Sequence, residues 1–105
     1  MSETLTTGTW QVKPGHEKDF VEEWTRFAEW AATMPGATTL RLGRDTGNPS
    51  TYVSFAPWAD LASVRGWKSQ PEFRERMGRL QQHVAGFEPL ELDAVATVTA
   101  PVAVG

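Results

Sequence analysis

The sequence predicts an α+β fold in one domain, and three observations carry this prediction. Strand-like and helix-like segments alternate in the order β-α-β-β-α-β, each long helical segment has one apolar stripe, and turn-forming residues separate the segments. Two helices on one face of a four-stranded antiparallel sheet form the ferredoxin-like arrangement. The single domain spans 1–105, with a core at about 4–98 and a short tail at 99–105.

The first two elements are a strand and a long helix. Thr4–Val12 is rich in Thr and also contains Trp and Val, which is typical of a strand. Gly8 in its middle predicts a bulge or a close approach by another group. Gly15 is the predicted N-cap of a helix over His16–Met34. Its apolar residues recur at spacings of three and four and form one stripe: Phe20, Trp24, Phe27, Ala31 and Met34.

A β-hairpin is predicted next. Its strands are Ala37–Arg44 and Thr51–Trp58, and the segment Asp45–Ser50 between them consists of turn-forming residues. Alternation in the second strand places one pair of side chains on each face of the sheet. These pairs are Val53 with Phe55, and Tyr52 with Ser54.

Two helices and a strand complete the prediction. A short helix covers Ala59–Trp67, and a longer one follows to about Val84. Before the longer helix, Ser69 and Glu72 fit a capping box that has a proline in its first turn. The last strand is predicted at Leu90–Val98. The stripe of the longer helix contains Phe73, Met77, Leu80 and Val84.

The sheet face away from the helices needs a partner if it is apolar. It is predicted to carry either Tyr52 or the pair Val53 and Phe55, depending on register, together with Trp10 or its neighbours. A second copy of the chain is the simplest cover, so the sequence predicts a homodimer through this face.

Composition excludes several function classes. The net charge is −3 with scattered basic residues, which argues against nucleic-acid binding. The absence of cysteine suits the cytoplasm, and no apolar run is long enough to predict a membrane span. The nucleotide, hydrolase and zinc-protease motifs GxGxxG, GxxxxGK[ST], GxSxG and HExxH are missing, so no cofactor is expected. Two isolated histidines do not predict a metal site.

Three stretches resemble the antibiotic biosynthesis monooxygenase family of dimeric α/β barrels. They are VKPGHEKDF, STYVSFAPWADLASVRGW and WKSQPEFRERM, in the family's order, within a resemblance that spans Thr4–Val98. The resemblance implies two ferredoxin-like subunits joined by their sheets, each with a pocket between its own sheet and helices. It also implies oxidation of a flat aromatic phenol or quinol by O₂ without metal or flavin, in which the substrate anion gives the electron to oxygen.

The family leaves other functions open. One alternative is a non-catalytic dimer that binds a small ligand or has a role in stress, so whether the chain is an enzyme stays uncertain. The haem-degrading branch of the family pairs an Asn in the first strand with a Trp and a His on later helices. Trp67 could match that Trp, but the first strand has no Asn and His83 lies too far beyond Trp67. Haem binding through His83 is the weaker alternative.

Two polar residues are the candidate catalytic groups. Arg76 and His83 lie seven apart on one edge of the last helix's apolar stripe. Arg76 would stabilise a substrate or peroxide anion, and His83 would take a phenolic proton. The competing interpretation is a solvated helix margin, where a histidine near the C-terminus favours the helix dipole.

Five aromatic residues are the candidate substrate-binding groups. They could hold a flat aromatic molecule, or they could fill the core, cover the dimer rim or pack on the surface. Trp67 would stack on the substrate or close one end of the core. His16, at the helix start, is predicted to lie on the surface. The five candidates are Trp67, Phe73, Trp24, Trp30 and Tyr52.

Overall fold

The computed structural model describes residues 3–102 and has the predicted α+β architecture. All strand pairs are antiparallel, and the strand order in the sheet is β2-β3-β1-β4. Residues 103–105 of the predicted tail lie outside the described residues. The elements are β1 Thr4–Val12, α1 Glu17–Ala31, β2 Arg41–Asp45, β3 Asn48–Trp58, α2 Leu61–Lys68, α3 Pro71–Gln81 and β4 Val84–Asp93.

The two central strands fix which side chains face the helices. In β1 the even-numbered residues are buried, and Trp10 lies opposite Tyr52 and Phe87. Tyr52 therefore faces the helices, which leaves Val53 and Phe55 on the open face. Of the residues predicted for the open face, Trp10 lies on the helix face instead, because its position in β1 matches that of the buried residues, and its neighbours Thr9 and Gln11 lie on the open face.

The first helix is shorter than predicted at both ends. Its N-cap is His16 rather than Gly15. Gly15 has a φ of +86°, so it makes the turn into the helix, and its N–H donates to the Glu17 carboxylate. The helix ends at Ala31, and the chain turns through Gly36, which has a φ of +84°.

The edge strand β2 is shorter than predicted. Only Arg41–Asp45 pairs continuously with β3, while Ala37 forms an isolated bridge to Trp58. Thr38 donates its hydroxyl to the Pro57 carbonyl in the same stretch. The chain from 37 to 40 therefore stays attached to β3 without forming a regular ladder.

The second half of the chain shows two corrections. Helix α3 begins at Pro71 with Gln70 as N-cap and has no side-chain cap, so the predicted capping box is wrong; the Ser69 hydroxyl donates to the Gly66 carbonyl instead. Strand β4 starts at Val84, well before the predicted Leu90. Phe87 explains this early start, because its ring stacks on Trp10 of β1 at a centroid distance of 3.9 Å.

The core lies between the sheet and the helices. It is aromatic-rich, and its largest fully buried side chains are Trp58, Phe20, Leu80 and Val64. Asp60 caps α2 by accepting from the Ser63 N–H and hydroxyl, and these hydrogen bonds lower the pKa of Asp60. Within the described chain, no helix has the length and apolar character needed to cross a membrane.

The opposite face of the sheet carries several large apolar side chains that the described residues leave exposed. Leu90 is 57% exposed, although it lies beside Thr7 and Phe55 in one cross-strand row. Leu92 lies beside Leu5 in the next row. The large exposed apolar side chains of this face are Val53, Phe55, Leu90 and Leu92.

Candidate functional site

A cavity of about 170 Å³ lies between the sheet and the helices. All three helices and three of the four strands border it, and Leu40 borders it from the segment before β2. Its largely apolar walls, with a few polar groups among them, are typical of a site for a small hydrophobic ligand. Its lining residues are Thr6, Thr7, Gly8, Trp10, Trp24, Phe27, Leu40, Ser54, Phe55, Ala56, Trp67, Lys68, Phe73, Met77, Phe87 and Pro89.

Aromatic rings hold one another in place around the cavity. Trp67 stacks on Trp58 at a centroid distance of 4.7 Å and meets Phe73 edge-on at 5.0 Å. Phe27 contacts both Trp67 and Phe73. Because Trp58 is fully buried, α2 presents Trp67 to the cavity from a fixed position.

Gly8 keeps the sheet side of the cavity open. A Cβ atom there would lie 2.7 Å from Cε1 of Phe87 and 2.9 Å from Oγ of Ser54. The predicted close approach at Gly8 is therefore confirmed, and the irregularity in β1 lies instead between Gln11 and Val12.

One pair of polar groups in the lining is satisfied within the protein. The Trp10 indole N–H donates to Ser54 Oγ at 3.0 Å, and the Ser54 hydroxyl donates to the Gly8 carbonyl. Trp67 differs, because its Nε1 is buried and has no hydrogen-bond partner within residues 3–102. A buried N–H without an acceptor is costly, so a ligand that brought an acceptor to it would be favoured.

Lys68 is the charged residue of the lining. Its Nζ donates to Glu91 of β4 at 2.8 Å, and Arg65 donates to the other oxygen of the same carboxylate at 3.1 Å. The Lys68 hydrogen bond lowers the pKa of Glu91, and Arg65 acts in the same direction. Two cations therefore share one ionised carboxylate at the α2 end of the cavity.

The structure brings together three of the five predicted substrate-binding residues. Trp67, Phe73 and Trp24 line the cavity, whereas Trp30 and Tyr52 do not. Trp30 packs on Phe27 near the outer surface between α1 and α3. Tyr52 is buried in the core against Phe20.

The two predicted catalytic residues lie outside the cavity lining. Arg76 donates to Glu72 and to the Arg26 carbonyl, and its guanidinium lies 5.5 Å from the centroid of the Trp30 ring. It thus links α3 to the outer side of α1. The edge of the α3 stripe that carries Arg76 faces this helix–helix seam and not the space above the sheet.

The two histidines form a contact of their own. His83 follows the end of α3, and its Nδ1 lies 3.2 Å from Nδ1 of His16, the N-cap of α1. His16 is thus half-buried against His83 and not fully exposed. Over residues 3–102 no group of three or more His, Asp or Glu side chains is arranged to hold a metal ion.

Sequence reasoning missed several lining residues. Lys68 directly follows Trp67, so its place near the cavity could have been inferred from the sequence once Trp67 was a candidate. Ser54 and Phe87 lacked such a signal, because their places depend on which face of the sheet each strand presents and on where β4 begins.

Comparison with solved structures gives consistent matches to this fold. A point mutant of SnoaB, a cofactor-independent oxygenase from Streptomyces nogalater, is 24% identical, with a TM-score of 0.88 over 95% of this chain and 100% of that one. A putative antibiotic biosynthesis monooxygenase from Deinococcus radiodurans is 13% identical, with a TM-score of 0.84 over 94% and 99% of the two chains. At these identities the likeness shows the fold alone.

A match at the level of the family adds to the structural likeness. The model of the family described as antibiotic biosynthesis monooxygenase matches residues 6–79. This range runs from within β1 to near the end of α3 and includes every lining residue of the cavity except Phe87 and Pro89. No protein with a curated function matches the chain significantly. The chain therefore belongs to the antibiotic biosynthesis monooxygenase family.

Proposed function

We propose that the protein is a small oxygenase that acts on a flat aromatic phenol or quinol with O₂ and without an added cofactor. The substrate would occupy the cavity between the sheet and the helices of each subunit. In the reaction, the ionised substrate gives an electron to O₂. For an anthrone, the methylene carbon becomes a carbonyl, and the second oxygen atom leaves as water.

The aromatic cavity is the observation that carries this proposal. Trp67, Phe73 and Trp24 come from three different helices and border the same space above the sheet. Apolar rings fixed by mutual packing suit a planar aromatic guest, which gains contact area on both of its faces. Family membership and the fold shared with a cofactor-independent oxygenase support the same function.

Trp67 has a specific role in this proposal. Its buried N–H would donate to a phenolate or quinone oxygen of the ligand, which would supply the acceptor that the protein itself lacks. The ring would also stack on the flat substrate, as the sequence predicts.

The roles of His83 and Arg76 stay predictions, and the geometry gives them no support. His83 faces His16, and Arg76 lies in the seam between α1 and α3. Haem ligation by His83 is likewise unsupported, because His83 is not among the lining residues. We therefore propose that the cavity itself carries out the proposed function by binding the substrate anion and excluding water.

A binding protein without turnover is the second candidate function. Among the described residues, the lining contains no imidazole and no carboxylate that could act as a general base. Such a cavity could bind an aromatic ligand as a carrier or a sensor. This alternative predicts thermal stabilisation by aromatic ligands without oxygen consumption.

We also propose that two copies associate through their open sheet faces. Val53, Phe55, Leu90 and Leu92 are each about two-fifths exposed or more, and adjacent strands bring them close together. An exposed apolar patch of this kind marks an interaction site in a soluble protein. Sedimentation equilibrium over a range of protein concentrations measures this association, and a monomer at all concentrations would contradict it.

Oxygen uptake with a panel of anthrones and quinols tests the proposed activity. We expect uptake above the buffer rate, and we expect Trp67→Phe to lower kcat/KM by roughly tenfold or more, since it removes the N–H donor but retains an aromatic ring. Glu29→Gln, on the exposed side of α1, is the matched control and should keep the wild-type rate.

One outcome would contradict the activity, and another would change the residue to which it is assigned. Uptake equal to the buffer rate with every substrate, combined with ligand-dependent thermal stabilisation, would favour the binding protein. A loss in His83→Ala as large as that in Trp67→Phe would instead support the catalytic role that the sequence predicts for His83.

A further inference from the structure

The charge on the cavity wall is confined to one end. Of the sixteen lining residues within 3–102, only Lys68 is ionisable, and it belongs to the last turn of α2. Its side chain is only 27% exposed, so its ammonium is partly shielded from solvent. An ion pair or hydrogen bond formed there is stronger than one at the open surface.

The cluster around Lys68 carries an excess of positive charge. Lys68 and Arg65 both contact Glu91, which is one carboxylate, so the three side chains have a net charge of +1. The whole chain has a net charge of −3, so this positive charge is a local feature and not part of a generally basic surface. Glu91 uses one of the three N–H donors of Lys68, which leaves donors for a ligand.

The neighbouring residue adds a second donor at the same end. Trp67 is 6% exposed, and its indole Nε1 is buried without an acceptor in the part of the chain that the structure describes. Elsewhere in the lining, the Trp10 N–H and the Ser54 hydroxyl already have partners. The last turn of α2 therefore supplies hydrogen-bond donors that the described residues leave unused, and one of them is cationic.

We infer that the ligand is a planar aromatic molecule that carries an anionic oxygen, and that this oxygen docks at the α2 end of the cavity on Lys68, with Trp67 beside it. This inference rests on the proposed function, because it requires that the cavity hold an aromatic ligand. The anionic oxygen can belong to a ring carboxylate or to an ionised phenol. Lys68 then sets specificity by favouring the charged form of the ligand over a neutral one of the same shape.

Calorimetric titration with three two-ring ligands tests this inference without using turnover. The probes are 2-naphthoate, the neutral and similarly shaped 2-naphthamide, and 2-naphthol, whose absorption distinguishes the neutral from the ionised phenol. We expect the wild-type protein to bind 2-naphthoate roughly tenfold more tightly than 2-naphthamide, or to ionise bound 2-naphthol at a pH where the free compound is neutral. The first result identifies a carboxylate as the source of the charge, and the second identifies a phenolate.

Two substitutions separate the charge of Lys68 from its structural contact. Lys68→Met and Glu91→Gln both remove the same ion pair, but only Lys68→Met removes the cation. We expect Lys68→Met to abolish the preference for the anion, and Glu91→Gln to retain or increase it. Lys68→Arg should keep the preference, and thermal melts establish that each variant is folded.

The inference is overturned if the wild type binds these ligands but shows neither preference, or if Lys68→Met and Glu91→Gln weaken anion binding equally. The proposed function fails differently. In that case none of the three ligands binds, or they bind and no aromatic substrate consumes oxygen. A third result is tight binding of 2-naphthamide together with oxygen uptake, with no effect of Lys68→Met on either. This result would support the proposed oxygenase activity and overturn the proposal that Lys68 binds an anion.

Discussion

The two faces of the sheet are built from the same strands but differ in how far they are buried. In β3, Tyr52 is 4% exposed on the helix face, while its neighbour Val53 is 43% exposed on the other. The helix face is filled by rings from α1, α2 and α3, except for one cavity. The open face carries apolar side chains of similar size that nothing in the described chain covers. The helices of the same chain thus cover one face, and we propose that a second copy of the chain covers the other.

The largest expected effect on the free energy of unfolding comes from a leucine on the helix face of the sheet, compared with a leucine on the open face. Leu80 of α3 is fully buried, and Leu80→Ala should lower the free energy of unfolding by about 2–5 kcal/mol at any protein concentration. Leu90→Ala should cost little in a monomer, because Leu90 is 57% exposed. If the faces pair, the cost of Leu90→Ala should rise with protein concentration.

Urea unfolding at two widely separated concentrations measures this difference. A Leu90→Ala effect that is the same at both concentrations would contradict pairing through the open face. Such a result would not change the interpretation of the helix face and its cavity.

A smaller effect is expected at Gly8, which lies where the sheet borders the cavity. Gly8→Ala places a Cβ within 3 Å of Phe87 and Ser54, so one of these side chains must move. We expect a loss of about 1–3 kcal/mol in unfolding free energy and a weaker affinity for aromatic ligands. Gly78→Ala in α3 is the matched control, because its Cβ would meet nothing within 4 Å.

An undiminished ligand affinity in a folded Gly8→Ala variant would contradict the role of Gly8. It would mean that the ligand does not occupy the space beside β1.

The smallest expected effect is the pH dependence of the Lys68–Glu91 pair at the edge of the cavity. The pKa of Glu91 is lowered in the folded protein from its ordinary value of 4.5, mainly by Lys68. The stabilising contribution is therefore complete above about pH 4.5 and is lost as the pH falls through the lower folded value. Because both side chains are partly exposed, the contribution should be at most about 1 kcal/mol.

Comparing the wild type with Glu91→Gln in urea unfolding between pH 3 and pH 7 measures this contribution. The difference between the two proteins should shrink toward low pH. A difference that stayed constant would show that Glu91 acts by packing and not by charge.

The order of helices and strands could be predicted from the sequence because it depends on the periodicity of apolar residues. The α1 stripe from Phe20 to Ala31 and the alternation in β3 are local patterns, and each agrees with the structure. The start of β4 could not be predicted in this way. It depends on Phe87 stacking on Trp10, a contact between residues far apart in the chain, while the local sequence A-G-F-E-P is typical of a loop.

The candidate site could be predicted only in part, for a related reason. Trp67, Phe73 and Trp24 are on or beside helical stripes that must face the sheet, so their place follows from amphipathicity. Arg76 and His83 lie at the margin of a stripe, where a small rotation of the helix decides between cavity, seam and solvent. Sequence periodicity does not determine that rotation, because the packing of α3 against α1 sets it.

The stacked indoles of Trp58 and Trp67 also provide an optical reporter. Their rings are 4.7 Å apart and inclined at 24°, so their electronic transitions should couple and give a paired band in circular dichroism. One indole is anchored deep in the core and the other borders the cavity. A guest that shifts Trp67 would change the spectrum of the unlabelled protein, and occupancy could be followed in real time without a dye.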